Sequence, residues 1–187
     1  TKELVDGQDP DKLFVERDIL YLKDATDSEE GGRMVIVLPK QNLSGAQEES
    51  VEFRKWLLKK VQITAIVDLP REAFQPHTGT KTSLVFLKKV KNIPEDYPIF
   101  MAVSEAVGHD RRGNPLYKKD ASGMNLLGDD GKEVIWNDLP EIYAQWNNYV
   151  LSGTVKDRTG EHEPSCFVIN SKQILNDESR RIDAWYW

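Results

Sequence analysis

Few residues of this chain combine the types and spacings that chemistry needs. The three histidines, His77, His109 and His162, lie far apart. His162 sits near the single cysteine, Cys166, in HEPSC. A zinc site takes about four ligands, mostly as two close pairs, so this lone pair reads as chance. Carboxylates are plentiful, but the adjacent pairs Glu29-Glu30 and Asp129-Asp130 read as solvated loops rather than as an acid and a base. No glycine loop of the G-x-G or Walker type is present to cradle a phosphate, and no G-x-S-x-G elbow to present a serine.

What remains is one polar loop, FQPHTGTK, between the apolar runs QITAIVDLP and TSLVFLKK. Gln75 precedes Pro76, which disfavours helix at Gln75 and turns the loop outward. Phe74 is an aromatic at the end of a strand. Thr78, Gly79 and Thr80 offer hydroxyl and backbone donors, and Lys81 adds a cation. An aromatic beside such donors suits stacking of a flat base while the donors hold a phosphate. The plainer reading is that Phe74 caps the core and the threonines form a turn. A lone His77 on a loop, with no partner in sequence, makes an unrelated α/β enzyme built on that residue the weakest of the alternatives.

The elements that would hold this loop follow from periodicity. DKLFVERDILYLKD places Leu13, Phe14, Ile19, Leu20 and Leu22 near a helical repeat after an Asp-Pro-Asp start. GGRMVIVLP reads as a strand buried on both faces. SVEFRKWLLKKV carries Val51, Phe53, Trp56, Leu57 and Leu58 in helical rhythm, with a basic opposite face. ITAIVDLP and SLVFLKKV are two more buried strands. A strand–helix–strand unit with apolar strands implies a parallel α/β sheet with a right-handed crossover. The last two strands lack an intervening helix, so the third is expected to run antiparallel. Beyond Lys91, the stretch 93–108 holds another short strand, HDRRGNPLYKKDASG has turn chemistry, and GDDGKEVIW reads as a hairpin arm. NDLPEIYAQWNNYVLSG is a helix with Asp138 as N-cap and Ile142, Tyr143, Trp146, Tyr149 and Val150 on its apolar side. TVKDRTGEHEPS is a polar linker, and CFVINSKQIL returns to strand, then turn or helix. No internal repeat and no low-complexity tract stands out.

Composition sets the class. With 187 residues, 30% charged and 39% hydrophobic, the chain suits one globular domain with an appendage. No apolar run approaches the ~20 residues of a membrane span, and the polar start TKELVDGQDP is no signal peptide. One cysteine forms no internal disulfide, which makes a reducing cytoplasm the default compartment. The net charge of -6 argues against a nucleic-acid binder over its whole surface. Residues 51–91 nonetheless carry Arg54, Lys55, Lys59, Lys60, Arg71, Lys81, Lys88, Lys89 and Lys91 against Glu52, Asp68 and Glu72. That segment suits either one DNA-facing surface or an ordinary solvated helix face.

Three blocks, GGRMVIVLPKQNLSG, VEFRKWLLKKVQITAIVDLPREAFQPHTGTKTSLVFLKK and YPIFMAVSEAVGHDRRGNPLYKKD, together resemble the adenine-N6 DNA methyltransferase family. More narrowly, they resemble the modification subunit of type I restriction–modification systems and its fused relatives. The similarity runs over about 11–120, with the blocks in order. It implies an α/β fold, the C-terminal half of a Rossmann-like methyltransferase sheet with parallel strands and one antiparallel strand, plus a small β and helical extension. On this resemblance VIVLP is the fifth strand, ITAIVDLP the sixth and SLVFLKK the seventh. The family's loop between the last two carries an aromatic that stacks on a flipped adenine, and Phe74 occupies that place. His77, Thr78, Thr80 and Lys81 are then the expected DNA contacts.

The resemblance also marks what is missing. The family's glycine-rich motif for S-adenosyl-L-methionine and its Asn-Pro-Pro-aromatic motif do not occur, and Asn114-Pro115 lies in the wrong context. The parent is expected to move a methyl group from S-adenosyl-L-methionine to adenine N6 in duplex DNA, in a prokaryotic cytoplasm, with this piece inactive alone. The first residue, Thr1, and the aromatic end AWYW look cut from something longer. The expected division is 1–91 as half of the catalytic domain, 92–153 as the extension, and 154–187 as a linker and the start of a following region. RIDAWYW resembles the lead-in to a target-recognition region, and equally reads as an aromatic cluster closing the sheet. The rival reading is a non-catalytic module that docks specificity or restriction subunits through 136–151, with Trp146 and Tyr149 as anchors.

Overall fold

Backbone pairing joins the apolar runs into one mixed sheet. The computed structural model describes residues 9–158, 160 and 163–187. Its five strands are β1 (Arg33–Pro39), β2 (Gln62–Asp68), β3 (Thr82–Lys88), β4 (Pro98–Val103) and β5 (Ser165–Asn170), in the order β1-β3-β2-β4-β5. The flanking hydrogen bonds give the directions. Lys89, just past β3, donates to Gly32, just before β1, and Leu69, just past β2, donates to Thr82 at the start of β3. β3 is therefore antiparallel to both neighbours. Ser104, just past β4, donates to Asp68 at the end of β2, so β2 and β4 run parallel. Ser171, just past β5, donates to Tyr97, just before β4, which makes that pair antiparallel. The antiparallel third strand is as expected. That β4 and β5 extend the same sheet beyond β2 was not evident from periodicity.

The chain divides into two compact units, one of residues 1–67, 83–101 and 168–187, the other of 68–82 and 102–167. In the first, α1 (Pro10–Tyr21) starts at Pro10, where the missing N–H costs nothing. It buries Val15 and Ile19, while Phe14 (58%), Leu20 (56%) and Tyr21 (73%) are exposed, so the apolar face differs from the one read from the sequence. β1 departs too. Val35 and Val37 share one face of β1 and are 54% and 42% exposed, while Met34, Ile36 and Leu38 on the other face are covered, so β1 is buried on one face only. The short helix α2 (Lys40–Ser44) leads to α3 (Glu48–Lys60), whose Phe53, Leu57 and Leu58 enter the core as expected.

Arg54 does not lie on a solvated basic face. It is fully buried and donates to the carbonyls of Asn42 (2.9 Å), Gly45 (2.7 Å) and Ser179 (2.8 and 2.9 Å). Burial pushes its pKa down to about 10, so it remains a cation at neutral pH. The C-terminal segment follows α5 (Ser171–Asn176) and packs here. Ile182 donates to Leu43, and Asp183, itself buried, pairs with Lys40 at 3.1 Å. Arg181 lies over the Tyr186 ring at 4.3 Å.

In the second unit the stretch 107–137 is held by backbone bonds with no buried side chain. Gly108 donates to Trp136, Trp136 to Leu116 and Leu116 to Gly108, closing a ring. Lys118, Val134 and Leu126 close a second ring in the same way. The turns repeat an Asp-x-x-Gly pattern at Asp110–Gly113 and Asp120–Gly123, a repeat missed in the sequence. Each aspartate caps backbone N–H groups, and Gly113 and Gly123 sit at φ +84 and +83. The helix α4 (Leu139–Ser152) then follows. Asp138 precedes it but makes no cap bond. Its buried carboxylate instead accepts from the backbone of Glu105 (2.7 Å) and Ala106 (3.0 Å) and from Trp136 Nε1 (3.0 Å). Of the α4 apolar set only Ile142 is buried, whereas Tyr143 (66%) and Val150 (61%) are exposed; Leu151, outside that set, is 88% exposed.

Candidate functional site

The loop from Leu69 to Lys81 leaves the carboxyl end of β2, the edge where open α/β sheets place their ligands. Leu69 and Thr82 close its base through the Leu69 N–H to Thr82 carbonyl bond of 3.0 Å. Pro70 ends the strand, and Arg71–Phe74 form a 3-10 turn. The Phe74 carbonyl accepts from both His77 and Thr78 at 3.1 Å, which folds the loop back on itself after the cis Gln75–Pro76 bond. Gln75 is extended, as the following proline requires.

This folding sets out the expected residues. The Phe74 side chain is 39% exposed. His77, Thr78 and Thr80 are exposed and Lys81 is half-buried. The Thr78 hydroxyl donates to Thr80 Oγ1 at 3.0 Å and accepts from the Thr80 backbone at 3.2 Å. That pairing fixes both side chains and leaves the Thr80 hydroxyl hydrogen to serve as a donor. One short loop thus gathers a half-open ring, hydroxyl donors, an imidazole and an ammonium.

Neighbouring residues of the same unit add a feature that sequence reasoning did not find. A cleft of about 420 Å³ is lined by Glu72, Glu105, Ala106, His109, Asp110, Arg111 and Leu116. Glu105 is paired with Arg158 at 3.0 Å, and His109 Nδ1 lies 2.9 Å from the Asp110 carbonyl. Hydrogen bonds from Asn114 hold the Asp110 carboxyl below its ordinary value. Nothing in the spacing of Glu72 and Glu105 signalled this cleft. Cys166 is no nucleophile: burial, with Glu141 and Asp138 nearby, pushes its thiol up to about 12. His162 lies outside the described residues. Among the described residues no group of three His, Cys, Asp or Glu side chains is placed to hold a metal ion, and no helix is long and apolar enough to cross a membrane.

Comparison with known proteins bears on the family and the fold. No curated protein sequence matches the chain. Solved structures do. The modification subunit assigned to a type I restriction enzyme from Vibrio vulnificus YJ016 is 18% identical, with a TM-score of 0.56 over 92% of this chain and 30% of its own. A chain from a structural study of assembly and conformational transition in the type I R-M system is 19% identical, with a TM-score of 0.61 over 96% and 32%. The M protein of the type I restriction enzyme EcoKI is 13% identical, with a TM-score of 0.52 over 94% and 37%. At such identities the likeness is one of fold, and this chain spans about a third of each of those structures. The N-6 DNA Methylase family matches residues 13–130, which is most of the chain. With that match over more than half of its length, and with a mixed α/β sheet in which β3 runs antiparallel between β1 and β2, the chain belongs to the N-6 DNA methylase family.

Proposed function

We propose that this chain is part of a site-specific adenine-N6 DNA methyltransferase of a restriction–modification system, and that it supplies one wall of the pocket for a flipped base. The observation that carries the reading is the β2–loop–β3 unit, with Phe74 half-exposed at the carboxyl end of β2. Phe74 stacks on the base, Thr78, Thr80 and Lys81 meet the phosphates, and His77 lines the same edge. The fixed Thr78–Thr80 pair supports this, since hydroxyls already oriented lose little freedom on meeting a phosphate.

The methyl donor of such enzymes, S-adenosyl-L-methionine, does not fit the residues present. No glycine-rich strand–loop–helix and no Asn-Pro-Pro-aromatic segment lies within them. The chain's own residues therefore carry no transfer step. Their part is to hold the base and the backbone in place, and the stretch alone is inactive.

The test is Phe74→Ala in the full-length protein. Loss of base–aromatic stacking costs about 1–3 kcal/mol. Methylation of host DNA should therefore fall by about one to two orders of magnitude while the fold is kept. Unaltered methylation by Phe74→Ala would overturn the assignment.

A second reading, a module that docks specificity or restriction subunits, is favoured by α4. Its exposed Tyr143, Val150 and Leu151, rather than the half-buried Trp146 and Tyr149, would be the contacts. Charge substitutions at Tyr143 and Val150 that leave assembly with a specificity subunit intact would remove that reading.

A further inference from the structure

Three turns in the second unit share one backbone geometry and differ in charge. The bridges His109–Pro115, Lys119–Asn125 and Leu127–Glu133 each close a tight turn, over 110–113, 120–123 and 128–131. In each, the last residue is a glycine whose N–H donates back to the first residue, at 3.0, 3.0 and 2.9 Å, with φ of +84, +83 and +76. The two residues at the tip are Arg111-Arg112, Ala121-Ser122 and Asp129-Asp130. One geometry thus accepts two cations, two small residues or two anions, so the fold does not ask for arginine at the first tip.

Both arginines are exposed, and among the described residues neither guanidinium makes a hydrogen bond or an ion pair. The neighbouring Asp110 carboxylate is taken up by the backbone of Arg112 (2.7 Å) and Asn114 (2.9 Å) and by Asn114 Nδ2 (3.0 Å). The first turn is also the one set beside the candidate loop. His109, Asp110 and Arg111 line the same cleft of about 420 Å³ as Glu72, two residues before Phe74, and neither of the other turns contributes to it.

A flipped base stays joined to its neighbours through the sugar–phosphate chain, so phosphates must pass the rim of the pocket that holds it. On a chain of net charge -6, local cations must offset the repulsion of a DNA strand there. We propose that Arg111 and Arg112 grip the phosphates beside the flipped nucleotide, which makes the first turn a backbone clamp for the 69–81 loop. This rests on the reading of that loop as a base pocket. Glu72 and Glu105 line the cleft itself, and their charge keeps the strand at the rim, where the turn stands. The acidic third turn repels DNA and takes no part. Contacts of this kind position the strand without reading its sequence.

The test uses the full-length protein and two duplexes, one with the sequence that it methylates in host DNA and one without. Affinity is measured against salt concentration. Each phosphate contact contributes about 0.9 to the slope of log affinity against log salt. Arg111→Gln combined with Arg112→Gln should therefore flatten that slope by about 2. It should also weaken binding at about 0.1 M salt by about one to two orders of magnitude, equally for both duplexes. The melting temperature should not change, since neither guanidinium is bonded in the free protein. Arg111→Lys with Arg112→Lys keeps the charges and should keep most of the slope, and Asp129→Asn with Asp130→Asn should leave it as it is. An unchanged slope in the Gln variant overturns the proposal. So does an equal and opposite change in the Asn variant, which makes the effect one of net charge. If the Gln variant binds normally while Phe74→Ala fails to methylate, the base pocket stands and only the clamp is lost. If the slope falls while Phe74→Ala methylates normally, the turn contacts DNA and only the stacking assignment is lost. If neither has an effect, both go.

Discussion

Arg54→Ala removes a cation from a place with no access to water. The guanidinium makes four bonds to three carbonyl oxygens, at 2.7 to 2.9 Å, and those of Asn42, Gly45 and Ser179 lose the donor when it goes. A bond to a charged group contributes about 1.5–3 kcal/mol, but bonds sharing one side chain do not add. Each buried carbonyl left without its donor costs about 1–3 kcal/mol, and three of them, less than additively, give a loss of about 3–5 kcal/mol. Against a total stability of about 5–15 kcal/mol this is a large fraction. The assay is urea unfolding. With a slope of about 2 kcal/mol per molar, a loss of about 4 kcal/mol moves the midpoint by about 2 M. The control is Lys55→Ala, one position along α3, whose exposed pair with Glu52 at 2.8 Å contributes about 0–1 kcal/mol. Arg54→Lys keeps the charge but not the planar fork and should recover less than half of the loss. Limited proteolysis of Arg54→Ala should cut first near Ser179, where the tail is released. If Arg54→Ala and Lys55→Ala shift the midpoint equally, the buried-staple account is wrong.

Two further outcomes concern the second unit. Asp138→Ala strips the acceptor from the Glu105 and Ala106 backbone and from Trp136 Nε1, and should cost about 3 kcal/mol or more by urea unfolding, well beyond the ~1 kcal/mol of a lost helix cap. Cys166 gives a pH dependence. Its folded pKa of about 12 lies above the ordinary thiol value of 9, so between those values the folded state holds a proton that the unfolded state has released. Stability should therefore be unaffected by this group below pH 9 and fall as the pH rises toward 12. Cys166→Ser should flatten that part of the curve, and native Cys166 should resist alkylation at pH 8.

Some of this molecule is legible from neighbouring residues alone. ITAIVDLP and TSLVFLKK are runs whose period, with Pro70 and the Thr-Gly-Thr turn between them, admits only two strands and a loop. Phe53, Leu57 and Leu58 recur at helical spacing, and Gln75-Pro76 imposes an extended residue. These are short-range effects of sterics and of side-chain period, and the β2–loop–β3 unit that holds Phe74 follows from them. The placement of Arg54 and Asp138 does not. A one-dimensional reading puts Arg54 in water because charge prefers water, yet carbonyls of residues 42, 45 and 179 solvate it inside the protein. Asp138 has the chemistry of a helix cap, but backbone N–H groups at Glu105 and Ala106, more than thirty residues earlier, take its carboxylate instead. Whether Val35 is buried depends on what covers its face of β1, and whether β5 joins the sheet depends on a bond from Ser171 to Tyr97, 74 residues away. Burial and polar satisfaction are properties of pairs of segments, and pairing between distant segments is decided only when the whole chain has found its lowest free energy.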